Sequence, residues 1–247
     1  MPLRIGGKEV RRGTVEQIFL KVSEYYTSTP VNVPVTVIRG EERGPLVFLT
    51  AAIHGDELNG VEIVRRIMTG YTPRQLRGTL ICVPVMNRVV FLTHTRYLPG
   101  RRDLNRYFPG DPKGNAASRY AHVLFTEIVS PSRYGVDLHT ASVGRTNLPH
   151  VRADMSSKKV RRIARAFGTE IIIDSPGPPR TLRAAATAAG VATIIFEAGE
   201  TFRFQRNMVS RGIAGVRNVL AALKMTGDTK KEPRLRVIVR SRSGCAR

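Results

Sequence analysis

The sequence predicts an α/β fold with a mostly parallel central sheet covered by helices on both faces. Three observations carry this. Strand-like apolar runs alternate with segments of helical periodicity. One run, Leu46–Ile53, is continuously apolar, as in a strand buried on both faces. The length of 247 residues suits one large domain with a full core, alone or with a small appendage.

Taken in order, Val15–Val22 and Val33–Ile38 alternate or run apolar and predict strands. Leu46–Ile53 follows a Gly-Pro break, and Gly55 ends it, so a buried strand delivers the chain to His54. From Glu57 to Met68 the apolar residues Leu58, Val61, Val64 and Ile67 recur at helical spacing, with Gly70 as the cap. Strand, tight turn and helix make a βα unit. Thr79–Met86 predicts the next strand and Ala117–Val129 the next helix, and between them lies Asn87–Asn115, irregular and rich in Arg, Gly and Pro. Loops of that length in a compact domain are usually functional. The remaining units are Gly135–His139 (strand), Ser157–Phe167 (helix), Thr169–Ile173 (strand), Thr181–Ala189 (helix), Ala192–Glu197 (strand) and the amphipathic helix Phe204–Lys224. Residues 1–226 are therefore expected to form the main domain. In the tail, 227–247, Leu235, Val237 and Val239 alternate with Arg236, Ile238 and Arg240, which predicts a strand with no partner after it, the start of a β-rich domain.

Composition narrows the function. With 42% hydrophobic and 24% charged residues, the chain has enough apolar surface to offset the entropy of ordering. It holds no run of eighteen apolar residues and no apolar stretch behind its basic start, so no membrane span or secretory signal is expected, and the cytoplasm is the expected location. Cys82, in a strand-like run, and Cys245 match no disulfide framework or paired ligand spacing, and Cys82 is expected to be inert core. The net charge of +21 favours polyanions, but the 32 Arg among the 40 basic residues are scattered along the sequence. Aromatic residues make up only 6%, with no Trp, which argues against a stacking platform for single strands and against nucleic acid as the specific ligand. A general genomic preference for Arg, or adventitious polyanion binding, is the expectation the charge leaves.

Four segments carry chemistry. His54-Gly-Asp-Glu57 sets an imidazole and a carboxylate three residues apart at a strand-to-helix corner, where both can reach one ion from the first helical turn. Zinc in hydrolases takes two His and one carboxylate and leaves a position for water. Val136-Asp-Leu-His139 supplies the second His at a strand end, with Asp137 on the same strand face as a supporting acceptor. His94, His122 and His150 are the other candidates; His122 reads as a helix-surface residue and His94 belongs to the Arg-rich loop. Glu197 ends a buried apolar strand, a costly place for a carboxylate unless it is paired or acting as a base, and Glu200 is the neighbouring alternative. The loop Arg96 to Gly110 offers guanidinium groups for carboxylates or a developing oxyanion, and Asn105 adds directed neutral donors.

Together these segments resemble the succinylglutamate desuccinylase and aspartoacylase family, deacylases with the zinc carboxypeptidase fold. The resemblance lies in His54-Gly-Asp-Glu57, Asp103-Leu-Asn-Arg106, Asp137-Leu-His139 and Phe196-Glu197-Ala-Gly199, in the family's order, and spans roughly Pro34 to Lys224. It implies one zinc ion on His54, Glu57 and His139, Glu197 as the base that takes a proton from the attacking water, and Arg96 as the oxyanion stabiliser. It further implies that Asn105 and Arg106 grip a substrate carboxylate. Arg145 and Asn147, in Gly144-Arg-Thr-Asn-Leu-Pro149, resemble the stretch after the third ligand in this group and are carried as substrate contacts. Two departures stand out. Asn87 is followed by Arg88 where the family has Pro, and the small β-rich domain into which members often continue is not evident before Arg247.

The expected reaction is hydrolysis of an amide (N-acyl) bond in a small N-acylated amino acid or related carboxylate. A zinc carboxypeptidase acting on peptides keeps the same metal, with Asn105 and Arg106 on the terminal carboxylate. A catalytically inactive polyanion-binding relative is the reading from another class. No Gly-x-Ser-x-Gly elbow exists for a serine hydrolase.

Overall fold

The computed structural model describes residues 2–24, 27–228 and 237–240. A short hairpin opens the chain, β1 (Leu3–Ile5) antiparallel to β2 (Lys8–Val10), and was not expected from sequence. There follow β3 (Thr14–Glu24), β4 (Pro30–Arg39), β5 (Glu42–Ala51), α1 (Asn59–Thr69), β6 (Arg77–Val83), α2 (Arg88–Leu92), α3 (Ala116–Leu124) and β7 (Tyr134–His139). The second half comprises β8 (Asn147–Ala153), α4 (Lys158–Phe167), β9 (Ile171–Asp174), α5 (Leu182–Ala188), β10 (Ala192–Gly199), α6 (Arg206–Ala222) and β11 (Val237–Arg240).

Nine strands form one sheet in the order β11-β9-β8-β10-β7-β5-β6-β4-β3. Neighbours are parallel in β5–β6, β5–β7, β7–β10, β8–β9 and β9–β11, and antiparallel in β3–β4, β4–β6 and β8–β10. The expected mostly parallel sheet is present, and its central strands β6, β5, β7 and β10 all run the same way. Their carboxyl ends therefore share one edge, the place where such sheets bind ligands.

The period-two alternation of strands divides the core. Val47, Leu49 and Ala51 of β5 face a layer with Ile63 and Ile67 of α1, Ile163 and Phe167 of α4, and Val216 and Val219 of α6. Phe48 faces the other way, toward Val90 of α2, Leu124 of α3 and Leu182 of α5. Helices thus cover both faces, as expected. The rings of Phe167 and Phe196 lie 4.8 Å apart and tie α4 to β10, a pairing worth roughly 1 kcal/mol beyond its buried area. Cys82 is fully buried in β6, and burial raises its thiol pKa, which leaves it as inert core.

Several boundaries differ from expectation for physical reasons. Helix α1 begins at Asn59, so His54 and Glu57 stand on the turn before the helix rather than on its first turn. The long loop after β6 contains α2, capped by Asn87, and a 3₁₀ turn, Leu104–Arg106, capped by Asp103. The strand β8 was missed because Asn-Leu-Pro-His-Val-Arg-Ala mixes polar and apolar residues, and it runs against β10 instead of extending the βα repeat. The tail strand finds its partner upstream: β11 lies parallel to β9 at the sheet edge. Leu235, Arg236 and Cys245 lie outside the described residues. No described helix is long and apolar enough to cross a membrane.

Candidate active site

Strand β5 leaves the sheet at Ala51 and turns toward α1, and Glu57 N–H closes the turn on the His54 carbonyl at 3.3 Å. Next to β5, in register with Ala51↔Leu138, β7 ends on His139. His54, Glu57 and His139, at 2%, 2% and 5% exposure, are thereby brought together at the sheet's carboxyl edge. One ligand atom from each lies within 4.8 Å of the other two. Nδ1 of His54 is 2.7 Å from Glu57 Oε1, and Nδ1 of His139 is 2.9 Å from Glu57 Oε2.

The far nitrogens are tied down by carboxylates. Nε2 of His54 lies 3.2 Å from Asp103 Oδ1, and Nε2 of His139 lies 2.7 Å from Asp137 Oδ2. Thr50 donates to the other Asp137 oxygen at 2.7 Å. Such outer carboxylates fix the tautomer in which the inner nitrogen carries the lone pair a metal needs. Burial by itself would lower both imidazole pKa values, but Glu57 with Asp103 raises that of His54, and Asp137 with Glu57 raises that of His139. Burial would likewise raise Glu57, yet the two imidazoles hold it below the usual carboxylate range. Two imidazoles and one carboxylate converging on one point match the donor set of zinc.

Glu197 sits beside this corner because β10 runs parallel to β7 with Glu197↔His139 in register. Its carboxylate accepts from Asn147 Nδ2 at 2.9 Å and lies 3.5 Å from Arg152 Nε. Burial raises its pKa, partly offset by the cations nearby. The segment after it is clamped onto α1: Asn59 Nδ2 donates to the Ala198 carbonyl at 3.2 Å and to Gln205 Oε1 at 3.1 Å, and Glu200 N–H donates to the same Gln205 oxygen at 2.9 Å. Gly199 is required there, since its φ is +76° and a Cβ would stand 2.0 Å from Gln205.

Arg96 reaches the corner from the long loop, 3.3 Å from Glu57 and 3.4 Å from Asp103. Asn105 is buried, and its Oδ1 accepts from Leu182 N–H at 2.8 Å. Arg106 and Arg145 are exposed at the rim. A cavity of about 300 Å³ collects Arg96, Asn105, Arg106, Arg145, Asn147 and Glu197 around the corner. All nine expected site residues thus border one space. Of the remaining candidates, His94 is exposed and His122 lies half-buried on α3. His150 is buried in β8, bonded through Nδ1 to the Leu148 carbonyl at 2.8 Å. Glu200 pairs with Arg203 at 3.2 Å.

Sequence reasoning gave no role to three participants, although it placed Asp103 within a family motif. Asp103 bridges His54, Arg96 and the Asn105 N–H, and although burial opposes it, these contacts bring its pKa down to about 2. Arg152 approaches Glu197 from the unrecognised β8. Arg183 lines the cavity at 3% exposure, donates to the Ser175 carbonyl at 2.7 Å, and has no carboxylate within 4.0 Å among the described residues. Burial, helped by Arg152, lowers its pKa to about 10.

Fold and site together define a zinc carboxypeptidase-like architecture. The profile of the succinylglutamate desuccinylase/aspartoacylase catalytic domain matches residues 43–223, and the chain belongs to that family of deacylases. It is 32% identical over 149 residues to an N-alpha-acetyl-L-2,4-diaminobutyric acid deacetylase of Halomonas elongata, an alignment covering 58% of this chain and 43% of the relative. The chain thus spans less than half of that relative's length. Among solved structures, a succinylglutamate desuccinylase/aspartoacylase from Rhodobacter sphaeroides superposes with a TM-score of 0.80 at 27% identity, over 88% of this chain and 68% of that one. The product-bound ectoine utilization protein EutE (DoeB) of Ruegeria pomeroyi shares the fold, with a TM-score of 0.81 at 24% identity over 92% and 71% of the two chains.

Proposed function

We propose that this protein hydrolyses the amide bond of a small N-acylated amino acid with one zinc ion held by His54, Glu57 and His139. The observation that carries the reading is the convergence of these three buried side chains, each imidazole backed by its own carboxylate, with Glu197 in register beside them. Family membership and the deacetylase relative support the acyl-transfer chemistry.

Zinc bound there would supply Lewis acidity toward water and the acyl carbonyl. Glu197, its pKa raised by burial, accepts the proton of the attacking water and returns it to the leaving amine. Asn147 and Arg152 keep the carboxylate oriented for that exchange. Arg96 turns its guanidinium toward the negative charge that develops on the carbonyl oxygen, and Asp103 holds it there. Arg106 and Asn105 receive a substrate carboxylate, Arg145 adds positive charge at the rim, and the buried charge of Arg183 favours an anionic substituent in the same cavity. The products are a carboxylate and a free amine.

Glu197→Gln tests this directly. With N-acetyl amino acids as substrates, kcat should fall by about 10²–10⁴ while zinc content stays at wild type. Near-normal turnover of the variant, or faster cleavage of short peptides than of N-acyl amino acids by the wild type, would overturn the reading.

A further inference from the structure

Part of the excess positive charge is gathered in space. The layer formed by α1, α4 and α6, in which α6 packs against both others, carries eight of the 28 arginines among the described residues together with Lys158 and Lys159. Helix α1 carries Arg65 and Arg66 against Glu62, α4 carries five basic residues and no acidic one, and α6 carries three and no acidic one. On the opposite face α2, α3 and α5 carry one arginine each, and that of α5, Arg183, is buried in the active site. Neutralisation within the helical layer is local: Glu62 pairs with Arg65 and Arg66, and Glu170 with Arg211. Lys158, Lys159, Arg162, Arg165, Arg206 and Arg217 are exposed and have no carboxylate within 4.0 Å among the described residues.

We propose that this helical layer is a docking surface for the phosphate backbone of double-stranded nucleic acid, a binding function separate from hydrolysis. Lys158, Arg162 and Arg165 fall on one stripe of α4, about 5 Å apart along the axis, so several cations can meet successive phosphates at once. Like charges held this close destabilise the free protein, and a polyanion relieves the repulsion. An anionic membrane fits the surface less well. Among the described residues none of the large exposed apolar side chains lies on α1, α4 or α6, whereas interfacial helices bury Leu, Phe or Trp in the lipid. With no large exposed aromatic ring on these three helices, they offer no platform for base stacking, so the recognised feature is the backbone and not the sequence.

The test is binding of the full chain to a duplex DNA of arbitrary sequence, about 30 base pairs long, followed by anisotropy across a salt series. Two variants are compared, each losing the same charge. One carries Lys158→Gln, Lys159→Gln, Arg162→Gln and Arg165→Gln on α4; the other carries Arg4→Gln, Arg11→Gln, Arg12→Gln and Arg43→Gln, exposed near the amino-terminal hairpin. Thermal melts verify that both remain folded. The proposal expects the α4 variant to bind at least about tenfold more weakly at 0.1 M salt, with the log–log salt slope reduced by about 3, and the hairpin variant to change the slope by less than about 1. Equal losses in both variants would assign binding to net charge alone and overturn it. No duplex binding by the wild type, or binding to phosphatidylserine vesicles in preference to the duplex, would overturn it as well.

Discussion

The two walls of the active-site cavity meet their charges in opposite ways. At the corner formed by β5 and β7, each imidazole nitrogen has a carboxylate within 3.2 Å, and those carboxylates are themselves held by Thr50, Arg96 or a backbone N–H. Elsewhere in the cavity, Arg183 is buried with its guanidinium on the Ser175 carbonyl and no carboxylate within 4.0 Å among the described residues, and Arg145 stands exposed at the rim, likewise with none so near. A buried cation whose nearest acceptor is a neutral carbonyl is costly to desolvate, and an anion bound beside it would offset that cost. The first wall balances its charges with the chain's own carboxylates; the second leaves a cation for the proposed anionic substrate.

The largest expected effect breaks the corner itself. His139→Ala removes one of the three proposed zinc ligands and leaves the Asp137 carboxylate, at 0% exposure, without its imidazole partner. Zinc should be lost on dialysis and hydrolysis should fall at least about 10³-fold, with stability reduced by about 2–4 kcal/mol. Metal analysis with a denaturant titration checks both. Asp137→Asn leaves the ligands in place but disturbs the tautomer of His139, and should weaken zinc affinity by about 10–100-fold in a chelator competition. Full zinc affinity in that variant would mean that the corner is not preorganised by its outer carboxylates.

Arg183→Met probes the other wall, and there the two readouts should move in opposite senses. Loss of the guanidinium should raise KM for a carboxylate-bearing substrate by about 30-fold or more, the cost of leaving a ligand charge unpaired. The free protein should be unchanged or more stable by about 1 kcal/mol, a rise in Tm of about 2–4 °C, because a buried cation has been replaced by an apolar chain of similar reach. A variant that melted lower and kept its KM would make Arg183 an ordinary structural residue, and the contrast between the walls would fail.

That contrast also explains what could be read in the sequence. Residues of the first wall stand at the ends of strongly patterned strands: the apolar run before His54 and the run before Glu197 mark their own termini, and Asp137 shares a face with His139 through the two-residue period. Residues of the second wall come from weakly patterned segments. Arg152 lies on β8, where polar side chains point into a cavity and so carry no alternation of the usual kind. Arg183 hides in an Ala-rich helix that periodicity describes but whose buried cation it cannot foretell. The Asp103 bridge, although part of the first wall, does not stand at a strand end: it depends on a loop folding back over forty-nine residues to His54, a contact no local rule encodes.

The smallest expected effect concerns how the two walls are held in register. Gln205 touches neither the cavity nor the His54, Glu57 and His139 corner, yet its side-chain oxygen accepts from both Asn59, at the start of α1, and Glu200, just past Glu197. Its backbone N–H donates to Asn59 Oδ1 at 2.7 Å, and this contact survives truncation. Gln205→Ala therefore loosens the end of β10 without freeing it, at a stability cost of about 1–2 kcal/mol. Displacement of a catalytic group by even a fraction of an ångström slows the chemical step, while the substrate contacts on the long loop and β8 stay put. The expected result is a kcat lowered by about threefold to tenfold at unchanged KM and zinc content, since neither the substrate nor the metal touches the clamp. A rise in KM with kcat intact would show instead that the clamp shapes the binding wall, and would move Gln205 from one side of the comparison to the other.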